Sequence, residues 1–277
     1  MKRTIISIIA LACCLLGNAQ TTKNEILANM AKAGGNYYPY PTPSGKLTPA
    51  PAGYEPFYIS HYGRHGARFM SEDTHVKRVL KFLRENELNE LGRETLAKLE
   101  TVDQVMKGKT GELTPLGYQQ LTEIAGRMYA NYPTVFSGDK KVEARSTYIP
   151  RSIISMSTFC LTLKGNNSAL NITPIVSNTD MPMLNMDRVK KADRPKVENL
   201  EYQNYTKFCD QKRTKSDRLV QSLLKTHKKI KPNVCQDFGY SLFKVASAIQ
   251  DMPNINFTLF NLFTNDEIWD YWQAQNA

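Results

Sequence analysis

The feature that most constrains this chain is the order in which two hydrophobic periods alternate along it. Residues 55–61 are aromatic and β-branched and predict a strand. Asp73 or Thr74 then offers an N-cap to a helix with Val76, Val79, Leu80 and Leu83 at helical spacing. A second helical stretch starts near Leu91 and carries Leu96, Leu99, Val102 and Met106. Thr114-Pro115 joins an N-cap to proline at the first helical position. It predicts a helix to about Tyr132, with Leu116, Leu121, Ile124, Ala125 and Met128 as its stripe. Residues 140–147 predict a second strand. Pro150 opens a helix through Ile153, Ile154, Met156, Phe159 and Leu163, which ends at Lys164-Gly165, and residues 170–176 predict a third strand. Strand, helices, strand, helix, strand predicts an α/β core with a mostly parallel sheet flanked by helices. The apolar stripes are core, since helix packing accounts for them fully.

Outside that core the composition shifts. Lys2 and Arg3 precede an apolar run from Ile5 to Leu16 and the small residues Gly17-Asn18-Ala19. This pattern predicts a signal peptide over residues 1–19, cleaved after Ala19, and export to the periplasm or medium. The run is too short to span a bilayer. Cys13 and Cys14 leave a lipoprotein as the alternative. Residues 20–54 hold the Pro- and Tyr-rich segments 37–43 and 48–51, which predict an extended arm lying over the surface through its tyrosines, or else a flexible linker. Residues 55–180 are the expected core. Residues 181–277 are expected to form a mainly helical, basic cap with an incomplete return to the core, helical over 202–231, 240–249 and 266–275. Between 186 and 232 lie fourteen Lys and Arg against six acids, an excess of eight within a chain whose net charge is +10. A basic stretch of this kind is a solvated helical face or a surface for anions. After cleavage three cysteines remain, Cys160, Cys209 and Cys235. At most one disulfide can form, and Cys209–Cys235 is the expected pair. With no Cys-x-x-Cys and four histidines, a structural zinc site is not expected.

The chemistry concentrates in Arg64-His65-Gly66-Ala67-Arg68. Arg64 and Arg68 offer two guanidinium forks, which bind phosphate bidentately. His65 between them offers a neutral imidazole nitrogen able to attack phosphorus and give a phosphohistidine. Gly66 permits a turn and a close backbone approach. The motif follows an expected strand, at the edge where α/β sheets place their ligands. Arg151 lies in the first turn of an expected helix, where free N–H groups and the helix dipole favour an anion. Arg145 is a weaker candidate, either touching substrate or ordering the strand end. His61, His75 and His227 are read as structural or surface residues.

These residues resemble the signature of the histidine phosphatase superfamily, in its acid phosphatase and phytase branch. Residues 113–117 (Leu-Thr-Pro-Leu-Gly) resemble that family's helix start after the first helical block. Arg145-Ser146-Thr147 and Pro150-Arg151-Ser152 resemble the segment that delivers its third phosphate-binding arginine. The wider sequence is similar to multiple inositol polyphosphate phosphatases. The resemblance implies a phosphoglycerate mutase-like core and a phosphomonoesterase. It assigns catalysis to His65 and phosphate binding to Arg64, Arg68 and Arg151, with neither metal nor cofactor. It further implies an anionic small-molecule substrate such as an inositol polyphosphate, rather than nucleic acid or a membrane. The family's later His-Asp or His-Ala-Glu, whose acid protonates the leaving oxygen, is not found in this sequence, so a C-terminal truncation is expected. The alternative is a non-catalytic phosphate binder of the same family. Asp266 and Glu267 are carboxyls near the end that nothing in the sequence places close to His65.

Overall fold

The computed structural model describes residues 22–45, 47–185, 207 and 216–275. The expected signal peptide and much of the basic stretch therefore lie outside the described residues, as does Cys209. Cys235 is buried and free, and Cys160 is free and half-buried.

Helices dominate, and each forms where a cap meets an apolar stripe. After α1 (residues 22–28) the chain turns through a 3-10 stretch, Met30–Tyr37, capped by Asn29, whose Oδ1 accepts from the Ala31 amide. This corrects the expectation of an irregular arm. Ile26 and Ala33 are buried, and that burial holds the segment in helical turns. Only beyond Tyr37 does the arm become extended. Next come α2 (Thr74–Arg84), α3 (Glu90–Met106, with Asn89 accepting from the Gly92 amide) and α4 (Pro115–Asn131, capped by Thr114). Strand β1 (Lys141–Ser146), helix α5 (Pro150–Asn166) and strand β2 (Asn171–Val176) form one β-α-β unit. Its strands run parallel, with Lys141 opposite Asn171 and Ser146 opposite Val176. The described chain continues with α6 (Met181–Leu184), α7 (Asp217–Gln221), α8 (Pro232–Ala248) and α9 (Asn265–Gln275).

The parallel pair flanked by helices is the expected α/β architecture, but the first expected strand is absent. Residues 55–61 are extended yet pair with nothing in the sheet, which consists of β1 and β2 alone among the described residues. Phe57 is 94% exposed and its neighbour Tyr58 72%. With neither face buried, nothing fixes a strand register. Ile59 alone of this run packs on a small cluster of Ala125, Phe136, Leu163 and Leu170 beside the sheet.

The larger core is helical and gathers residues from nearly the whole length of the chain. Val76, Val79, Leu80 and Leu83 of α2 and Leu99, Val102 and Met106 of α3 meet Phe238, Leu242, Phe243 and Val245 of α8 and Ile268 and Tyr271 of α9. Each such side chain contributes roughly 1.5–3 kcal/mol on burial. The helix expected over 202–231 is corrected where it can be described: Lys207 and Asp217–Gln221 are helical, but 222–231 is irregular. Asn89 explains the break. Its amide donates to the carbonyls of Ser222 and Leu224, while the Lys225 amide donates to Glu87, so these groups are drawn out of any helical ladder.

Candidate active site

The motif residues line an open cleft of about 440 Å³. Its walls are Tyr37–Pro41 from the N-terminal segment, Arg64–Arg68, and Gln120, Leu121 and Ile124 of α4, with Asp251 beyond the end of α8.

The loop is held by hydrogen bonds from its own backbone to α4 and α5 and the residue that caps α4, not by a strand. Thr114 donates its amide (2.9 Å) and its hydroxyl (3.3 Å) to the Ala67 carbonyl, while its Oγ1 also caps α4 by accepting from the Gly117 amide. The Ala67 amide donates to Gln120 Oε1 at 2.9 Å, and the Gly66 amide to Ser155 Oγ of α5 at 3.2 Å. Two glycines make this approach possible. A Cβ on Gly66 would lie 2.4 Å from the Gly117 carbonyl oxygen, and one on Gly117 would lie 2.1 Å from that of Ala67. Gly66 is required for closeness; its φ is not in the left-handed region, so the turn alone does not demand it. The same contact gives the Leu-Thr-Pro-Leu-Gly segment its physical meaning, since Gly117 and Thr114 are the seat of the histidine loop.

His65 is half-buried, with Nδ1 2.9 Å from its neighbour's carbonyl at Gly66. The carbonyl can only accept, so Nδ1 carries the proton and Nε2 keeps its lone pair. Burial, followed by the charges of Arg64, Arg68 and Arg151, lowers the imidazole's pKa to about 4, against the opposing pull of the Gly66 carbonyl. At neutral pH the ring is therefore uncharged and nucleophilic. Arg64 and Arg151 are themselves lowered, by desolvation and then by Arg68. Mutually repelling guanidiniums around one neutral base make this region attractive to an anion. The Nε atoms of Arg68 and Arg151 are buried without a partner, as is Oδ1 of Asp251.

Of the four expected residues, Arg64, His65 and Arg68 line the cleft, while Arg151, in the first turn of α5, is not among its lining residues but is near enough for its charge to lower the His65 pKa. Arg145 is not among the residues lining the cleft. Its guanidinium bridges Glu143 (2.8 Å) and Asp180 (2.7 Å), so it ties β1 to the start of α6. His61 stacks on Phe159 at 5.1 Å, and His75 bonds Ser241 Oγ at 3.1 Å, both structural contacts. Glu267 is engaged by Arg218 at 2.6 Å and Asp266 by Lys23 at 3.6 Å, so neither end carboxyl is free for His65. Sequence reasoning missed Tyr37, Gln120, Ser155 and Asp251. Tyr37 accepts from Arg68 Nη1 at 3.2 Å and lays its ring 5.2 Å from the same guanidinium. Its place at the head of a Tyr-Pro run was the one available signal. Among the described residues no group of three or more His, Cys, Asp or Glu is set to hold a metal ion.

An uncharged histidine among guanidiniums, on a glycine-seated loop beside a β-α-β unit, marks a protein that handles phosphoryl groups. The chain belongs to the histidine phosphatase superfamily (branch 2), whose family model matches residues 63–274. Two solved structures share the fold, both of Bifidobacterium longum multiple inositol polyphosphate phosphatase. The apo form superposes with a TM-score of 0.62 at 17% identity, covering 88% of this chain and 68% of that one. The complex with inositol hexasulfate gives 0.57 at 17% identity, covering 86% of this chain and 67% of that one. The comparison with curated proteins found no match.

Proposed function

We propose that this chain is an exported phosphomonoesterase acting on inositol polyphosphates, phytate included, through a phosphohistidine at His65. Family membership supports phosphatase chemistry. The inositol hexasulfate held by a protein of the same fold supports the polyanionic substrate. The observation that carries the reading is the 2.9 Å contact of His65 Nδ1 with the Gly66 carbonyl, which occupies Nδ1 and leaves Nε2 to act as the nucleophile.

In this reading Arg64, Arg68 and Arg151 neutralise the phosphoryl oxygens, and their charge is most effective on the crowded transition state. Nε2 attacks phosphorus, the ester oxygen leaves, and water then cleaves the P–N bond. The test is phosphate release from phytate, with trapping of acid-labile phosphoenzyme. His65→Ala should abolish both. Turnover untouched by that substitution would refute the proposal. One observation favours a second reading, a phosphate binder without turnover: among the described residues, 55–61 stay outside a sheet that consists of two strands. Inositol phosphate binding with no phosphate release and no phosphoenzyme would select it.

A further inference from the structure

The cleft contains a carboxyl that the mechanism above leaves idle. Asp251 closes a single 3-10 turn, Ile249–Asp251, that caps the end of α8. The side chain of Gln250 pins this turn by donating to the Ala31 carbonyl at 3.1 Å and to that of Ser247 at 3.0 Å. Asp251 itself is 4% exposed, yet it lines the same cleft as Arg64, His65 and Arg68. Its Oδ1 has no hydrogen-bond partner, and it makes no ion pair among the described residues. A buried, unpaired carboxylate is costly, and folds retain one chiefly where it is used.

The groups facing it settle its state. Arg64 and Arg68, from the histidine loop, favour the charged form. Burial opposes them and prevails, raising the carboxyl's pKa to about 7. His65, which lines the same cleft, is uncharged at neutral pH because its pKa is lowered to about 4. A substantial fraction of Asp251 therefore holds a proton at neutral pH, and among the described residues no other Asp or Glu lines the cleft.

Resting on the phosphatase reading, we propose that Asp251 is a catalytic residue of this site, the general acid that protonates the leaving oxygen. As His65 Nε2 forms its bond to phosphorus, the P–O ester bond breaks and its electron pair stays on oxygen. The Asp251 proton moves to that oxygen, releasing an alcohol and leaving a carboxylate opposite Arg64 and Arg68. In the second step water attacks phosphorus and the P–N bond returns its pair to Nε2. The water's proton returns to Asp251.

Leaving-group dependence tests this directly. An alkyl phosphate such as glycerol phosphate needs its leaving oxygen protonated, whereas 4-nitrophenyl phosphate releases a stable anion and does not. Asp251→Asn should lower the first-turnover release of alcohol from the alkyl ester on the order of 10²–10⁴-fold, while first-turnover release of 4-nitrophenol from the aryl ester changes about tenfold at most. The retained aryl turnover doubles as proof that the variant is folded. Equal losses on both esters would make Asp251 a structural or clamp residue and overturn the proposal, and so would no loss on either. Wild-type protein inactive on both esters, or active without His65, would remove the phosphatase reading itself and this proposal with it.

Discussion

At the scale of single residues, the site sets two charge states against each other. His65 must be uncharged to attack, and its pKa near 4 means that this is lost only in acid. Asp251 must be protonated to donate, and its pKa near 7 means that this is lost in base. A profile of kcat/KM for an alkyl phosphate should therefore be flat between about 4 and about 7 and fall on both sides. In Asp251→Asn the basic limb should disappear while the acid limb stays. The stability consequence has a definite sign. Asp251 binds its proton more tightly folded than unfolded, so its contribution is fully present below its ordinary pKa of 3.8 and is lost as pH rises through about 7. Urea unfolding should find Asp251→Asn more stable than wild type by about 2–4 kcal/mol near pH 8, and equal to it near pH 3. The residues of the motif were legible because arginine, histidine and glycine in that order already specify a chemistry. Asp251 was not, since a lone acid between Gln250 and Met252 carries no local pattern until the fold brings it to the cleft.

At the scale of elements, the loop depends on the seat that α4 provides. Gly66→Ala or Gly117→Ala forces a methyl group into a backbone carbonyl, because the two chains touch at 2.4 and 2.1 Å from an ideal Cβ. Each should cost about 3 kcal/mol or more by thermal or urea unfolding, as overpacking against rigid backbone does. Each should also lower kcat more than it raises KM, since it displaces His65. Thr114→Ala removes the cap of α4 and a hydroxyl bond to Ala67 together, and should cost about 1–2 kcal/mol in the same assay. The helices were legible because caps and stripes are local: Thr114-Pro115 marks the start of α4 to within one residue. Residues 55–61 were misread for a physical reason. β-propensity describes a side chain's fit to a half-buried pleated surface, and here no partner strand supplies that surface. The same limit applies to 222–231, where Asn89, remote in sequence, breaks a run that reads as helix.

At the scale of the whole molecule, the α/β class followed from the order of periods, but the sharing of the core did not. The helices expected to divide between a sheet domain and a cap instead join α2, α3, α8, α9 and the N-terminal turns in one hydrophobic cluster. Segment boundaries drawn from composition cannot see contacts of this range. The cleft inherits the same geography: Tyr37, His65 and Asp251, far apart in sequence, all line it. Such long-range closure is entropically slow compared with forming a helix. Refolding should therefore show two clocks: far-UV ellipticity returning early, and quenching of Tyr fluorescence by an added polyanion returning late. A ribosome making this chain meets the same order. The nucleophile emerges early, but its wall and floor cannot close until residue 251 has left the exit tunnel, so a nascent chain carries its histidine without a pocket through most of synthesis.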